Sequence, residues 1–190
     1  MPTDRGTTLL AIARGAIASS LDQPAPAFDE GAWLMEPGAS FVTLTRHDEL
    51  RGCIGSLLAE RPLRHDIESN ARAAAFRDPR FPPVAAHEYG DIAVEVSLLS
   101  ALEPIEAESE TELLRVLRPG VDGVLLEYRA RRGTFLPQVW DQLPEPRDFL
   151  RHLKQKAGLH ADFWADEVRL SRYTVTKWRE TEPRDTGTHS

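Results

Sequence analysis

The chain contains a single cysteine, and this scarcity excludes several classes of site. Cys53 cannot form a disulfide within the chain, and an iron–sulfur cluster normally needs several thiolates. The six histidines are scattered and form neither a His-Glu-x-x-His helix nor a set with paired thiols, so we predict no structural zinc. We therefore expect the chain to hold no metal and no cofactor.

Long apolar runs are also missing. No stretch approaches the roughly 18 to 20 uninterrupted apolar residues that a membrane-spanning helix requires. The first residues, 1–6, are not followed by an apolar segment of signal-peptide character. We expect a soluble, cytoplasmic protein that has no membrane partner.

Positive charge is in deficit, with 23 Lys and Arg against 30 Asp and Glu and a formal net charge of -7. Sequence-independent binding to the phosphate backbone of nucleic acids normally needs a basic face on the protein, so nucleic acid is a poor candidate partner. The densest basic cluster, Arg129, Arg131 and Arg132, fits an exposed hairpin tip.

The patterns that are present indicate an α+β protein. Apolar spacing of three and four residues predicts helices over 7–21, 62–76, 111–117 and 146–157. Runs of β-branched and alternating residues predict one hairpin from 41–45 and 50–56. They predict a second hairpin from 124–128 and 134–136, with its turn at 131–133. They also predict a central strand over 91–100 and strand character over 168–178. Hairpins with intervening helices favour mainly antiparallel sheet with flanking helices.

The segment 50–56, Leu-Arg-Gly-Cys-Ile-Gly-Ser, carries the most specific chemistry. Alternation along a strand puts Arg51 and Cys53 on one face, with Cα atoms about 6.5 to 7 Å apart, so the guanidinium favours a thiolate. Gly52 and Gly55 remove side chains beside the sulfur and allow a ligand to approach. This pattern is typical of a binding cleft. The alternative interpretation is that Cys53 is a small buried hydrophobe and that the glycines mark a bulge or tight sheet packing.

Glu95 interrupts an otherwise apolar strand and shares a face with Ser97. A buried carboxylate needs a partner, and Arg51 or Arg80 would supply one and join the cysteine strand to the central strand in a polar cleft. The alternative is that Glu95 faces solvent on the wet side of an antiparallel sheet.

Several blocks of the sequence resemble the AMMECR domain family, also called protein A of the AmmeMemoRadiSam system. Besides the cysteine segment, these blocks are Asp78-Pro79-Arg80-Phe81, Glu95-Val96-Ser97, Asp122-Gly123-Val124, Leu136-Pro137-Gln138-Val139-Trp140 and Lys156-Ala157-Gly158-Leu159. The similarity extends from about residue 41 to about residue 178. It implies a larger and a smaller lobe, and a bacterial or archaeal setting beside a radical-SAM protein and a Memo-like protein. It transfers no catalytic residues.

We therefore predict a flexible N-terminus at 1–6, a two-lobed domain over 7–179 that folds as one unit, and a disordered tail at 180–190. The leading hypothesis is a protein that binds a small molecule or a modified polypeptide in a cleft around Cys53 and serves a radical-SAM enzyme. In its enzymatic version Cys53 acts as a thiolate, and Glu95 orients Arg51 or moves a proton. The candidate substrate-binding residues are Arg51, Gly52, Gly55 and Arg80. The rival hypothesis is a non-catalytic adaptor in which Cys53 is structural.

Overall fold

The computed structural model describes residues 4–181. The chain divides into two compact units, one formed by the chain up to Leu99 and again from Thr176, the other by Ser100–Val175. Each unit has its own four-stranded sheet and its own apolar core. The predicted α+β class, with a larger and a smaller lobe built on antiparallel sheet, is confirmed.

The elements are, in chain order, α1 (Arg5–Ser20), β1 (Ser40–Arg46), β2 (Glu49–Gly55), α2 (Leu63–Phe76), β3 (Ile92–Leu99), β4 (Glu103–Pro104), α3 (Glu110–Val116), β5 (Gly123–Tyr128), β6 (Arg131–Phe135), α4 (Pro146–Lys156), β7 (Arg169–Tyr173) and β8 (Val175–Arg179). Short 3-10 helices cover Ala32–Met35, Ala86–Glu88 and Pro137–Asp141. No helix within residues 4–181 combines the length and apolar composition needed to cross a membrane.

In the larger unit, one face of the sheet is covered by helices and forms the core. The strand order is β2-β1-β3-β8, with β1 antiparallel to both of its neighbours. The apolar residues of the sheet and of the two helices are fully buried together: Ile12, Ile17, Val42, Leu44, Ile67, Val94 and Val96. Because successive side chains of a strand point to opposite faces, the residues between Val42, Leu44, Val94 and Val96 lie on the face away from these helices.

A bulge interrupts the pairing of β1 with β2. Leu44 pairs with Gly52 but Thr45 pairs with Leu50, so Arg51 is the extra residue. A bulge of this kind bends the strand and breaks the simple alternation of its side chains. The strict alternation that predicted Arg51 and Cys53 side by side is therefore interrupted between these two residues.

A buried polar network attaches α2 to the start of β1. The Asp66 carboxylate accepts hydrogen bonds from the backbone nitrogen and the hydroxyl of Ser40, from Asn70 Nδ2 and from Arg61 Nε, at 2.7 to 3.0 Å. Asp66 is fully buried, and a buried carboxylate is tolerated when its oxygens are satisfied in this way. The network holds α2 in register beneath the strands that carry the cysteine segment.

In the smaller unit, the sheet order is β4-β7-β5-β6, and α4 packs on it. The ring of Trp140 stacks on Phe149 with centroids 3.7 Å apart and an interplanar angle of 4°. The indole nitrogen of Trp140 donates to the Asp122 carbonyl at 2.7 Å, so the buried ring leaves no donor unpaired. The Asp122 side chain binds the backbone nitrogen and the guanidinium of Arg118, which is a structural role in the loop before β5.

One sequence-based expectation differs from the fold, and the structure makes a second one more precise. The second hairpin turns at residues 129 and 130, where Arg129 has φ 54°, and 131–133 belong to β6. The stretch 168–178, for which the sequence predicts strand character, is divided between β7 and β8 in two different sheets. At the chain ends, residues 1–3 and 182–190 lie outside the described residues, and with them half of the predicted flexible N-terminus and most of the predicted disordered tail.

Candidate functional site

A row of polar side chains crosses the larger sheet on the face away from the helices. Thr43 in β1 pairs with Cys53 in β2 on one side and with Glu95 in β3 on the other. The neighbours of these residues are core residues on the opposite face, so the three side chains share the outer face. Lys177 of β8 continues the row, with its Nζ 4.0 Å from Glu95 Oε1. We call Cys53, Thr43, Glu95 and Lys177 the outer-face row.

Cys53 is a free, partly buried cysteine whose sulfur contacts a hydroxyl. Thr43 Oγ1 donates to Cys53 Sγ at 3.3 Å. The backbone groups of Cys53 point away from β1, since its nitrogen donates to Asp78 and its carbonyl accepts from Arg80. Thr43 and Cys53 are therefore a non-hydrogen-bonded pair, the kind in which facing side chains lie closest. This geometry accounts for the contact between hydroxyl and sulfur.

Asp78 and Arg80 clamp the outer edge of β2. The Asp78 carboxylate accepts from the backbone nitrogen of Cys53 at 3.0 Å and from Arg80 Nε and Nη2 at 3.0 and 2.7 Å. Hydrogen bonds from the Arg80 guanidinium, and then from the two backbone nitrogens, hold the pKa of the Asp78 carboxyl well below its usual range. Arg80 Nη2 also donates to the Cys53 carbonyl at 3.3 Å. The edge of β2 is thus covered at Cys53, while the Arg80 side chain is 54 % exposed.

Arg51 lies in a separate ion-pair cluster. Its Nε and Nη2 donate to the two carboxylate oxygens of Glu88 at 3.1 Å each, and Arg46 donates to the same carboxylate. Both Arg51 and Glu88 side chains are only 11 % exposed. Hydrogen bonds from Arg51, and then from the backbone nitrogen of Ala85, lower the pKa of Glu88 to about 2. Arg51 Nη1 is buried and has no hydrogen-bond partner among the described residues. This cluster fixes the bulge of β2 to the 3-10 helix Ala86–Glu88.

The two glycines of the cysteine segment allow close packing on opposite faces of β2. A Cβ atom on Gly52 would overlap the backbone carbonyl oxygen of Ala74 in α2. A Cβ atom on Gly55 would overlap the ring of Phe41, which is its pairing partner in β1. Gly52 lets the helix approach the strand, and Gly55 gives the Phe41 ring a flat surface. Both glycines therefore have a packing reason that needs no ligand.

Glu95 forms an ion pair with neither Arg51 nor Arg80, the two partners that the sequence suggested. Arg51 is bound by Glu88 and Arg80 by Asp78, whereas Glu95 lies near Lys177, and its side chain is 25 % exposed. Glu95 thus belongs to the wet side of an antiparallel sheet, which is the alternative that the sequence left open. Within residues 4–181 no group of three or more His, Cys, Asp or Glu side chains has the arrangement of a metal site.

Of the sequence-predicted site residues, the structure brings Cys53 and Glu95 into one row and sets Arg80 at its edge. It leaves Arg51 in the Glu88 cluster. The predicted hairpin already places Cys53 on its second strand next to the Thr43 and Thr45 region, and the structure pairs Cys53 with Thr43. Sequence reasoning did not assign Thr43 to the site, and it missed Lys177 and Glu88.

A comparison with protein families identifies the class of protein to which this fold and these motifs belong. The AMMECR1 family model matches residues 10–178. The chain belongs to the AMMECR1 family. The resemblance carried by the cysteine segment is therefore confirmed.

Two archaeal relatives and one solved structure illustrate the similarity. The chain is 42 % identical to Protein MJ0810 of Methanocaldococcus jannaschii over 157 residues, covering 78 % of this chain and 76 % of the relative. It is 39 % identical to a protein of Methanothermobacter thermautotrophicus over 187 residues, covering 93 % and 95 %. The crystal structure of protein PH0010 from Pyrococcus horikoshii matches with a TM-score of 0.80 and 34 % identity, over 94 % of this chain and 93 % of that one.

Proposed function

We propose that this chain binds a small molecule or a modified polypeptide segment on the outer face of the larger sheet, at the outer-face row of Cys53, Thr43, Glu95 and Lys177. The observation that carries the proposal is the row itself. A thiol, a hydroxyl, a carboxylate and an ammonium group stand side by side on four neighbouring strands. Packing of the sheet alone does not require four chemically different side chains next to one another on its outer face.

The proposal rests on the residues that packing leaves unexplained. Arg51, Gly52 and Gly55 each have a structural reason in the ion-pair cluster or in close packing. Glu95 and Lys177 have a contact of only 4.0 Å, and partly exposed pairs of this kind contribute little to stability. A ligand can therefore replace this contact between Glu95 and Lys177 at small cost.

The charges of the row indicate the chemistry of the ligand. Glu95 suits a cationic or hydrogen-bond-donating group, and Lys177 suits an anionic group. Arg80, more than half exposed and held at the edge of β2, offers a second cation close to the Cys53 backbone. A ligand with an amine and a carboxylate or phosphate at its two ends, such as an amino acid derivative or a short modified peptide, complements this arrangement.

Cys53 is proposed as a ligand contact, and thiolate chemistry is the enzymatic version of the same proposal. The sulfur accepts a hydrogen bond from Thr43, and the Asp78 carboxylate beside the Cys53 backbone is occupied by a backbone nitrogen and by Arg80. Nucleophilic catalysis needs a base that reaches the sulfur or the substrate, and Glu95, two positions along the row, is the carboxylate available for that role. The resemblance to protein A of the AmmeMemoRadiSam system suggests a radical-SAM enzyme and a Memo-like protein as the proposed companions.

The test is ligand retention by the full chain. The protein is purified without harsh washing and denatured, and the released low-mass compounds are identified by mass spectrometry. We expect a compound that is retained by the native chain, reduced about tenfold or more in Glu95→Gln, and reduced in Thr43→Val, because a lost charged hydrogen bond weakens binding by about this amount. The matched control is Glu127→Gln, which removes a partly exposed strand carboxylate that pairs with Arg132 in the smaller unit.

The outcomes separate the two functions. A compound whose retention is equal in Glu95→Gln and Glu127→Gln contradicts the proposed site. If no low-mass compound is retained and a companion protein binds the native chain and Glu95→Gln equally, the adaptor function is supported instead. Loss of retention in Cys53→Ser, with Glu95→Gln still binding, would restrict the contact to the cysteine end of the row.

A further inference from the structure

The smaller unit contains a cleft that none of the preceding roles explains. Its volume is about 250 Å³, and it lies between the start of α3 and the outer side of α4. Its lining residues are Glu110, Thr111, Leu114, Arg147, Arg151 and Asp162. Five of the six are polar or charged, so the cleft is suited to a polar ligand rather than to an apolar one.

Two guanidinium groups face this cleft from one side of α4. Arg147 and Arg151 are four residues apart, and side chains at this spacing lie about 5 to 6 Å apart at their Cβ atoms on the same face of a helix. Like charges at this spacing repel each other in the absence of an anion. Arg147 has no hydrogen-bond or ion-pair partner among the described residues. Arg151 has a weak one, Asp162 Oδ1 at 3.5 Å, and both of these side chains are largely exposed.

The acidic residues of the cleft are already engaged. Lys154 lies one turn from Arg151 and two turns from Arg147, is 1 % exposed, and donates to Glu110 Oε1 at 2.6 Å. This short contact neutralises Glu110, and the Asp162 contact partly neutralises Arg151. Arg147 is left as a positive charge in the cleft lining that has no ion-pair partner among the described residues.

The geometry points to a binding site for a compact oxyanion of the phosphate class, held between Arg147 and Arg151. Guanidinium groups present paired donors that match phosphate and carboxylate oxygens. A planar carboxylate satisfies one such pair, whereas a tetrahedral phosphate has oxygens for two guanidinium groups that approach from different directions. The weak contact between Arg151 and Asp162 is then exchanged for the stronger contact with the ligand.

The size of the cleft limits the ligand. A volume of about 250 Å³ equals roughly eight water molecules at about 30 Å³ each. It therefore accommodates a phosphate group with a small organic substituent, and it is smaller than the usual range of about 300 to 1,000 Å³ for drug-sized ligands. Leu114, the one apolar residue of the lining, provides a surface for that substituent.

The probe for this site is inorganic phosphate, titrated into the full chain at constant ionic strength with chloride as the balancing anion. Binding is followed by calorimetry and by the NMR signals of the arginine Nε–Hε groups. We expect saturable binding in the native chain. Arg147→Gln and Arg151→Gln each weaken it about tenfold or more, the effect of losing a charged hydrogen bond. Asp162→Asn strengthens it several-fold because the competing carboxylate is removed.

The control and the competing anion make the result decisive. Arg169→Gln removes an exposed guanidinium of β7, outside the cleft, and leaves phosphate affinity unchanged. Acetate at the same ionic strength binds at least tenfold more weakly than phosphate. The inference is overturned if binding does not saturate by about 10 mM, if Arg169→Gln weakens binding as much as Arg151→Gln does, or if acetate binds as tightly as phosphate. Thermal unfolding of each variant establishes that it is folded when titrated.

Discussion

The carboxylate of Asp78 accepts a hydrogen bond of 3.0 Å from the backbone nitrogen of Cys53, 25 residues earlier in the chain. The same carboxylate binds Arg80, whose guanidinium returns to the Cys53 carbonyl. The two family blocks that contain these residues are therefore parts of one structural unit, in which the loop after α2 satisfies both backbone groups of the cysteine at the edge of the sheet. Cys53 is held in position by its backbone, and its side chain is left for other contacts.

Replacement of Asp78 should loosen this edge. In Asp78→Asn the carboxylate loses its charge, and its amide nitrogen cannot accept hydrogen bonds from Arg80. We expect the free energy of unfolding to fall by about 1 to 3 kcal/mol, measured by chemical denaturation. The control Asp166→Asn removes an exposed carboxylate of the smaller unit and should change stability by less than about 0.5 kcal/mol. Equal effects of the two variants would contradict the clamp.

Acid should weaken the fold through Asp78 and Glu88. Both carboxyl groups have a pKa in the folded chain that lies below the ordinary values of 3.8 and 4.5. Groups with a depressed folded pKa contribute stability that is fully present above the unfolded pKa and is lost as the pH falls through the folded value. We therefore expect the free energy of unfolding to fall from about pH 4.5 towards pH 2, and to fall less steeply in Glu88→Gln. A parallel pH profile for the two proteins would refute the contribution of Glu88.

The two glycines Gly52 and Gly90 provide a matched pair. In Gly52→Ala the new methyl group overlaps the carbonyl of Ala74, which is backbone and cannot move without shifting α2. We expect a loss of about 1 to 3 kcal/mol or more in the free energy of unfolding. A Cβ atom on Gly90 meets nothing within 4 Å, so Gly90→Ala should be close to neutral. Tolerance of alanine at position 52 would show that the helix does not approach the strand as closely as described.

Arg51 should prove to be structural. Arg51→Gln leaves Glu88 with Arg46 as its remaining side-chain partner, and we expect the free energy of unfolding to fall by about 1 to 3 kcal/mol. Ligand retention per folded chain should stay at the native level, because the guanidinium is bound at Glu88 and takes no part in the outer-face row. A stable Arg51→Gln chain that has lost its ligand would restore the substrate-binding role suggested by the sequence.

The buried ion pair of the smaller unit should show strong coupling between its members. Glu110→Gln leaves the ammonium of Lys154 buried without a charged partner, and we expect a loss of about 1 to 3 kcal/mol, moderated by the partial exposure of Glu110. Lys154→Met in the same chain should recover most of this loss, because it removes the unpaired buried charge. Additive losses in the double variant, measured by denaturation, would argue against coupling.

The helices and the first hairpin follow from local pattern, and they could be predicted from the sequence. Periodic apolar residues place α2 at 62–76, against an observed Leu63–Phe76, because its buried side depends only on spacing within the helix. The strand character of 168–178 could also be predicted, but its division between two sheets could not. Adjacent residues here join two different sheets, and the partner of a strand is a long-range property that the alternation of its side chains does not contain.

The candidate site was only partly accessible from the sequence. The cysteine segment and Glu95 stand out by composition, but the pairing of Arg51 depends on a bulge, and its partner Glu88 lies 37 residues away in a short 3-10 helix. Lys177, 82 positions after Glu95, has no pattern that links it to the row. Contacts between distant segments decide which polar residue serves structure and which remains on the surface.

The most direct test of the outer-face row is the rate at which iodoacetamide alkylates Cys53, the single cysteine of the chain. We predict that the compound retained by the native chain slows this rate about tenfold at a concentration ten times its Kd, because only the unliganded chain reacts. In Glu95→Gln, whose affinity we expect to be about tenfold lower or weaker still, the protection at the same concentration should fall to about twofold or less. An alkylation rate that is unchanged by saturating compound would contradict a ligand site at Cys53.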